Sequence, residues 1–214
     1  PWDGGVISAF WTLNIYTNQR HLPLSYGLVL LLLWPLVQTL VLKRHYVVSR
    51  WQALGIVGLM SVFPLLHQAG VVVLIGSLCV LVAMHGTRQL LSQNWRLLLI
   101  YGLSIVMVAL AMTTLVPVGH PISVKLWFLA KDHSWPQLLN YWWQNIGLYS
   151  VFGLLLVWWP HRTRIFTVLA GGLLVATNVW QLSPDMINNH KLVNFALLYL
   201  SISVSSFLVA SWRK

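Results

Sequence analysis

Apolar runs of about the length of a membrane-crossing helix alternate with short polar or basic links along most of this chain. A helix needs about 20 largely apolar residues to cross the hydrocarbon core of a bilayer. The pattern predicts an all-α fold, a polytopic transmembrane helix bundle of about seven spans at residues 22–42, 51–66, 71–84, 97–115, 135–159, 165–182 and 192–210. These spans form one domain over residues 22–210, between an external segment, 1–21, and a cytoplasmic tail, 211–214.

Two of these assignments depend on local signals within long apolar stretches. The stretch from Trp51 to Met84 is too long for one span, and the polar residues from His67 to Gly70 divide it into two short arms. A helical hairpin that crosses the membrane and a re-entrant pair both fit this pattern. Further along, Ser134-Trp135-Pro136-Gln137 has the form of a capping box and predicts a helix that continues to Trp159.

The composition indicates that lipid is the solvent of this protein. Hydrophobic residues make up 58% of its 214 residues and charged residues only 7%, whereas a soluble domain carries about 25% charged residues. The net charge is +10, but the basic residues lie between the apolar runs rather than in one patch. They therefore indicate membrane topology, and we expect no nucleic-acid partner.

The basic residues divide unequally between the two alternating sets of links. One set holds nine of them: Lys43, Arg44, Arg50, Arg88, Arg96, Arg162, Arg164, Arg213 and Lys214. The other set holds four: Arg20, Lys125, Lys131 and Lys191. Because cytoplasmic links carry the excess of Lys and Arg, the first set is predicted to be cytoplasmic. We expect a bacterial inner-membrane protein with its N-terminus outside and its C-terminus in the cytoplasm.

The same sorting places all three acidic residues, Asp3, Asp132 and Asp185, on the external side together with most histidines. Acid–base chemistry or ligand binding is therefore expected there. Asp132-His133 precedes the fifth span and is a candidate substrate-binding pair, although Asp132 would equally suit Lys131 and a helix N-terminus.

The last external loop provides a second candidate group. Asn189, His190 and Lys191 could bind a sugar phosphate, and Asn189 would equally serve as the N-cap of the seventh helix. His67 at the tip of the hairpin could contact a ligand or cap helix carbonyls. Arg20, before the first span, is a further cation on this side. The predicted substrate-binding set is His67, Asp132, His133, Asn189, His190, Lys191 and Arg20.

Other sequence signals limit the range of functions. There is no Walker A, GxGxxG, GxSxG or HExxH motif, which argues against an ATP-driven pump or a soluble-type hydrolase. No cofactor is evident; a divalent metal stays open, although no residue cluster indicates one. The chain opens Pro1-Trp2-Asp3 without an initiator Met or signal peptide, so we expect an upstream part to be missing.

Three stretches resemble the C-terminal half of polytopic GT-C type membrane glycosyltransferases or their uncharacterised bacterial relatives. They are Phe63-Pro64-Leu65-Leu66-His67, Trp143-Gln144-Asn145-Ile146-Gly147-Leu148 and Asn188-Asn189-His190-Lys191-Leu192. Similar stretches in that group read P-x-x-H, W-x-x-N-x-G and D-N-x-K, so Asn188 stands where an Asp is expected. The resemblance covers roughly residues 60 to 200.

This resemblance implies transfer of a sugar from a polyprenyl-phosphate donor to an acceptor on the external side, with membrane lipid as the surrounding partner. It also implies a catalytic Asp in a first external loop upstream of this piece, so no catalytic residue is assigned here. The alternative is a non-catalytic membrane carrier, flippase or structural subunit. A carrier needs polar residues along a path through several spans, and the largely apolar spans favour the transferase.

Overall fold

The structure, a computed structural model, describes residues 21–44, 46–85, 87–115, 123–126, 134–158, 163–181 and 186–213. Within the helices it describes the side chains except those of residues 21, 85, 87–93 and 186–188. The described residues contain eight helices and one pair of two-residue strands, which form two compact units.

The N-terminal unit contains four helices. They are α1 His21–Leu36, α2 Arg50–Leu66, α3 Gln68–His85 and α4 Thr87–Thr114. The C-terminal unit contains the other four helices and both strands. They are β1 Ser123–Val124, α5 Trp135–Ile146, α6 Leu148–Trp158, α7 Arg164–Val179, β2 Trp180–Gln181 and α8 Met186–Trp212.

Three helical segments of the described chain are long and apolar enough to cross a membrane. They are Leu22–Val41, Asn94–Thr114 and Asn189–Trp212. Four further apolar helices, Arg50–Leu66, Gln68–Met84, Leu148–Trp158 and Arg164–Val179, are shorter. The predicted all-α character is therefore confirmed, with three candidate membrane-spanning helices; the arrangement in seven spans stays a prediction.

The first apolar segment changes its helical geometry near its end. Pro35 lies inside α1 and has no N–H to donate to the preceding turn, and a π-helical turn, Val37–Val41, follows at once. A proline and a π-helical turn are each a common cause of a bend in a helix. The Thr39 hydroxyl donates to the Pro35 carbonyl at 2.9 Å, so this polar side chain is satisfied inside the helix.

The division of the long apolar stretch at His67 is confirmed, since α2 ends at Leu66 and α3 begins at Gln68. The single residue between them serves both helices. The His67 N–H donates to the Phe63 carbonyl at 2.9 Å, and Nδ1 of its ring accepts from the Gly70 N–H at 2.9 Å. The ring therefore caps the amides of the next helix, not the carbonyls of the previous one.

The fifth predicted helix, from Ser134 to Trp159, is instead two helices. Gly147 separates α5 from α6 and has φ +54° and ψ −130°. Residues other than glycine rarely adopt this backbone conformation. The capping box predicted at Ser134 is also wrong: Ser134 is the N-cap, but its side chain makes no capping bond. Pro136 explains part of this, because it removes one of the two early N–H groups that a cap can accept from.

A capping box does form elsewhere, at the start of α2. The Ser49 hydroxyl accepts from the Gln52 N–H at 3.2 Å, and the Gln52 side chain accepts from the Ser49 N–H at 2.9 Å. Both early donors are thus satisfied before the apolar part of the helix begins.

The core of the C-terminal unit lies between α7 and α8. Ala170 and Ala196 are fully buried, and small residues of this kind let helices approach closely. The rings of Phe166 and Tyr199 lie 5.7 Å apart, and the Ser203 hydroxyl donates to the Thr163 carbonyl at 2.9 Å. Small, aromatic and hydroxyl side chains together hold this helix pair.

We expect Gly70→Ala to destabilise the N-terminal unit. A Cβ at Gly70 would clash with the Ser25 hydroxyl oxygen and lie 2.7 Å from a ring carbon of Phe63, and overpacking of this kind typically costs about 1–3 kcal/mol. Gly76→Ala in the same helix is the matched control, because a Cβ there meets nothing within 4 Å. Thermal unfolding in detergent should show a lower midpoint for Gly70→Ala only; equal midpoints for both variants would contradict this packing.

Candidate functional site

The polar end of the C-terminal unit is organised by the short strand pair. Ser123 pairs with Gln181 and Val124 with Trp180, in antiparallel register. The Lys125 N–H then donates to the Val179 carbonyl at 2.9 Å. The pairing fixes a segment of the predicted external loop against the end of α7, beside the start of α8.

Asn189 joins the first turns of α8 to the end of α7. Its side chain is fully buried, and its amide nitrogen donates to the carbonyls of Thr177 at 2.9 Å and Trp180 at 2.8 Å. The alternative in which Asn189 caps the seventh helix is wrong, because α8 already begins at Met186. Both amide hydrogens are engaged with backbone oxygens, so the amide nitrogen serves the fold.

His190 packs against an aromatic residue that the sequence did not single out. Its ring lies nearly parallel to that of Tyr141 on α5, with centroids 6.4 Å apart and planes 19° apart, within the range of aromatic pairs. Both residues are buried. The Tyr141 hydroxyl has no hydrogen-bond partner among the described residues.

That buried hydroxyl is chemically notable, because leaving a buried donor unsatisfied typically costs about 1–3 kcal/mol. Nothing in the sequence marked Tyr141 as polar and buried, since it stands in the aromatic run Tyr141-Trp142-Trp143. A phenol is protonated at neutral pH, so Tyr141 presents an O–H donor beside the His190 ring.

Lys191 follows His190, but its side chain projects from the helix in a different direction. Successive side chains of an α-helix are about 100° apart around its axis, so the two do not form one paired group. Lys191 is half-buried, near the beginning of the candidate span Asn189–Trp212. Its stem can follow apolar surface while the ammonium reaches the polar boundary.

His67 belongs to the N-terminal unit, where its buried ring contacts other polar groups. Nδ1 of its ring lies 3.1 Å from the Ser25 hydroxyl and also accepts from the Gly70 N–H. Because Nδ1 accepts a backbone N–H, the neutral ring carries its proton on Nε2, and the Ser25 hydroxyl is a donor. His67 thus connects α1, α2 and α3 at one point.

Three of the predicted binding residues, Arg20, Asp132 and His133, lie outside the described residues. Asn189, His190 and Lys191 are consecutive residues of α8, and the contact that the structure adds is that of the Tyr141 ring with the His190 ring. That His67, Asp132, His133, Asn189, His190 and Lys191 approach one another on the external side stays a prediction.

Within the part of the chain that the structure describes, no three His, Cys, Asp or Glu side chains are grouped so that they could hold a metal ion. Apart from the Asn189 amide, whose hydrogens bind backbone oxygens, the polar groups at this end of the C-terminal unit are an imidazole, a phenol and an ammonium. Such groups suit a ligand rich in oxygen acceptors or negative charge.

No protein-family model, curated protein or solved structure matches this chain.

Asn189→Leu is expected to destabilise the C-terminal unit by about 1–3 kcal/mol, because the buried Thr177 carbonyl and the part-buried Trp180 carbonyl lose their donor. Asn189→Asp should be at least as harmful, since a carboxylate would face the same two carbonyl oxygens. Asn140→Leu is the matched control, as Asn140 is exposed on α5. Thermal unfolding in detergent provides the measurement; a midpoint for Asn189→Leu equal to that of the control would show that these two bonds contribute nothing.

Proposed function

We propose that this protein is an integral membrane glycosyltransferase, or the C-terminal part of one, that uses a polyprenyl-phosphate sugar donor on the external side of the membrane. The observation that carries the proposal is Lys191, a half-buried cation near the beginning of the candidate span Asn189–Trp212. A lipid phosphate lies at the same depth, where its chain enters the hydrocarbon and its charge stays at the boundary.

The neighbouring groups support a phosphate-sugar ligand rather than a simple hydrocarbon. The Tyr141 and His190 rings are stacked, and the Tyr141 hydroxyl is buried. The Lys191 ammonium belongs to the next residue of the helix. A phenol O–H and an ammonium both donate to phosphate or sugar oxygens. The three stretches that resemble GT-C glycosyltransferases include the one that holds His190 and Lys191.

In the proposed reaction, the acceptor oxygen bonds to the anomeric carbon of the sugar while the bond from that carbon to the phosphate oxygen breaks. The electron pair stays on the phosphate, and the acceptor's proton passes to a base, which the resemblance assigns to an aspartate of an external loop. Lys191 would stabilise the negative charge that develops on the leaving phosphate more strongly than the charge of the bound donor. This chain's own contribution is thus donor binding and leaving-group stabilisation.

A membrane carrier is the second candidate, favoured by a separate observation. The C-terminal unit buries several polar side chains along α7 and α8, among them Thr167, Asn178, Asn194 and Ser203. Polar residues inside a helix bundle often line a transport path. Ser203 and Asn178 donate to backbone carbonyls, however, which gives both a structural role.

We expect Lys191→Ala to weaken binding of a polyprenyl phosphate by roughly tenfold or more, since a charge-assisted hydrogen bond contributes about 1.5–3 kcal/mol. Affinity is measured with the purified full chain in detergent, with the uncharged polyprenol as control ligand. Lys125→Ala, which removes an exposed lysine of the same unit, should bind like the wild type. Unchanged affinity in both Lys191→Ala and His190→Ala would refute the role given to this helix start, and a wild type that binds no polyprenyl phosphate would leave the carrier or structural function in its place.

The variant Tyr141→Phe distinguishes between two roles of the hydroxyl: binding the ligand and stabilising the fold. We expect several-fold weaker binding of polyprenyl phosphate, because the variant lacks a ligand contact. The thermal midpoint of the ligand-free variant should be no lower than that of the wild type, because the variant buries no unsatisfied hydroxyl. A lower midpoint with unchanged affinity would show that the hydroxyl is satisfied within the protein instead.

The proposed topology has seven spans, of which α5 and α6 together form the fifth, with the N-terminus outside and the C-terminus in the cytoplasm of a bacterial inner membrane. Val47 and Val124 are matched probes, 68% and 70% exposed, and belong to a predicted cytoplasmic and a predicted external link. In a Cys79→Ser background, a membrane-impermeant thiol reagent should label Val124→Cys in intact cells and Val47→Cys only after permeabilisation. The opposite pattern would reverse the orientation, and labelling of both in intact cells would exclude this number of spans.

A further inference from the structure

One end of the N-terminal unit is held together by the residues that link α1 to α2. The Asn94 side-chain amide donates to the Tyr46 carbonyl at 2.9 Å. The Gln52 amide, already part of the capping box, donates to the Tyr46 hydroxyl at 3.3 Å. Tyr46 thus fixes the link to both the first turn of α2 and the start of the apolar part of α4.

Asn94 also marks a break within α4, where the backbone leaves helical geometry at φ −155° and ψ 48°. The candidate span Asn94–Thr114 begins at this residue. Deeper in the unit, the Tyr101 hydroxyl donates to the Leu32 carbonyl of α1. The end of α1, the beginning of α2 and the beginning of the α4 span therefore meet at one end of the unit.

That end carries a concentration of cations and indoles, which we call the basic corner. It consists of Lys43, Arg44, Arg50, Trp51, Trp95 and Arg96. All four cations are exposed, and the two indoles are 84% and 55% exposed. The Arg96 guanidinium lies 5.7 Å from the centroid of the Trp95 ring, at the distance of a cation–π contact.

No acidic residue accompanies these cations, because residues 16–118 contain neither Asp nor Glu. The charge of the corner is therefore not neutralised by carboxylates of its own unit. Lys43 and Arg44 also follow directly after the C-terminal end of the first helical segment, where the helix dipole favours positive charge. The charged side chains of the basic corner are thus all positive, and they lie where three apolar helical segments begin or end.

We propose that the basic corner binds the headgroups of anionic phospholipids. Exposed tryptophans at the ends of apolar helices are typical of the headgroup region of a bilayer, and cations there are attracted to anionic lipid, each contributing roughly fivefold to binding. The alternation of indoles and cations next to apolar helix ends distinguishes this surface from a patch that binds nucleic acid.

The test compares phosphatidylglycerol with phosphatidylcholine as ligands of the purified full chain in detergent, with bound lipids counted by native mass spectrometry. We expect the wild type to bind phosphatidylglycerol at least tenfold more tightly, with a preference that falls as salt rises. The double variant Arg50→Gln/Arg96→Gln should lose most of this preference without a change in phosphatidylcholine binding. The matched control Arg50→Lys/Arg96→Lys keeps the charge and should keep the preference.

Four results would overturn the proposal. Equal affinity for the two lipids in the wild type, or a preference that survives in the Gln double variant, would show that the corner does not select anionic headgroups. Displacement of phosphatidylglycerol by millimolar inorganic phosphate would assign the surface to free phosphate. Tighter binding of a polyglutamate peptide than of phosphatidylglycerol would assign it to an acidic protein segment. Arg164→Gln, which removes an exposed cation of the other unit, should change none of these results.

Discussion

A helix that ends in an apolar environment leaves backbone N–H and C=O groups that water cannot reach, and these groups must find partners inside the protein. In the described residues, short polar side chains solve this problem at several helix interruptions. The His67 ring accepts from Gly70, the Asn94 amide donates to Tyr46, and the Asn189 amide donates to two carbonyls at the end of α7. Each of these side chains also connects separate elements, so the packing of both units depends on them.

This constraint changes how the polar residues of the sequence should be interpreted. In a chain with so few polar groups, an Asn or His near a helix end attracts attention as a ligand-binding residue. His67 and Asn189 both form hydrogen bonds with backbone atoms, which gives both residues a structural role. The proposed donor site consequently rests on Lys191 and His190, whose positions follow from the anchoring of α8 by Asn189, and on Tyr141 of α5.

The two units differ in the polar features that stand at their helix ends. The N-terminal unit has no carboxylate between residues 16 and 118, and its described cations gather where helices end. In the C-terminal unit, the strand pair fixes part of the predicted external loop beside the end of α7. Both arrangements place polar chemistry at helix ends, which is where an apolar helix can carry charge without burying it in hydrocarbon.

The sequence by itself determined the helical class, the division at His67 and the apolar character of the long helices, because these depend on local hydropathy and on the length of apolar runs. It did not determine the break at Gly147, since a glycine in an apolar run is compatible with a continuous helix until its backbone angles are known. The sequence also did not reveal that the Ser134 side chain makes no capping bond, or that the His190 ring packs against Tyr141. Tyr141 and His190 are 49 positions apart, and only the tertiary structure decides that a phenol on α5 and an imidazole on α8 share a buried contact.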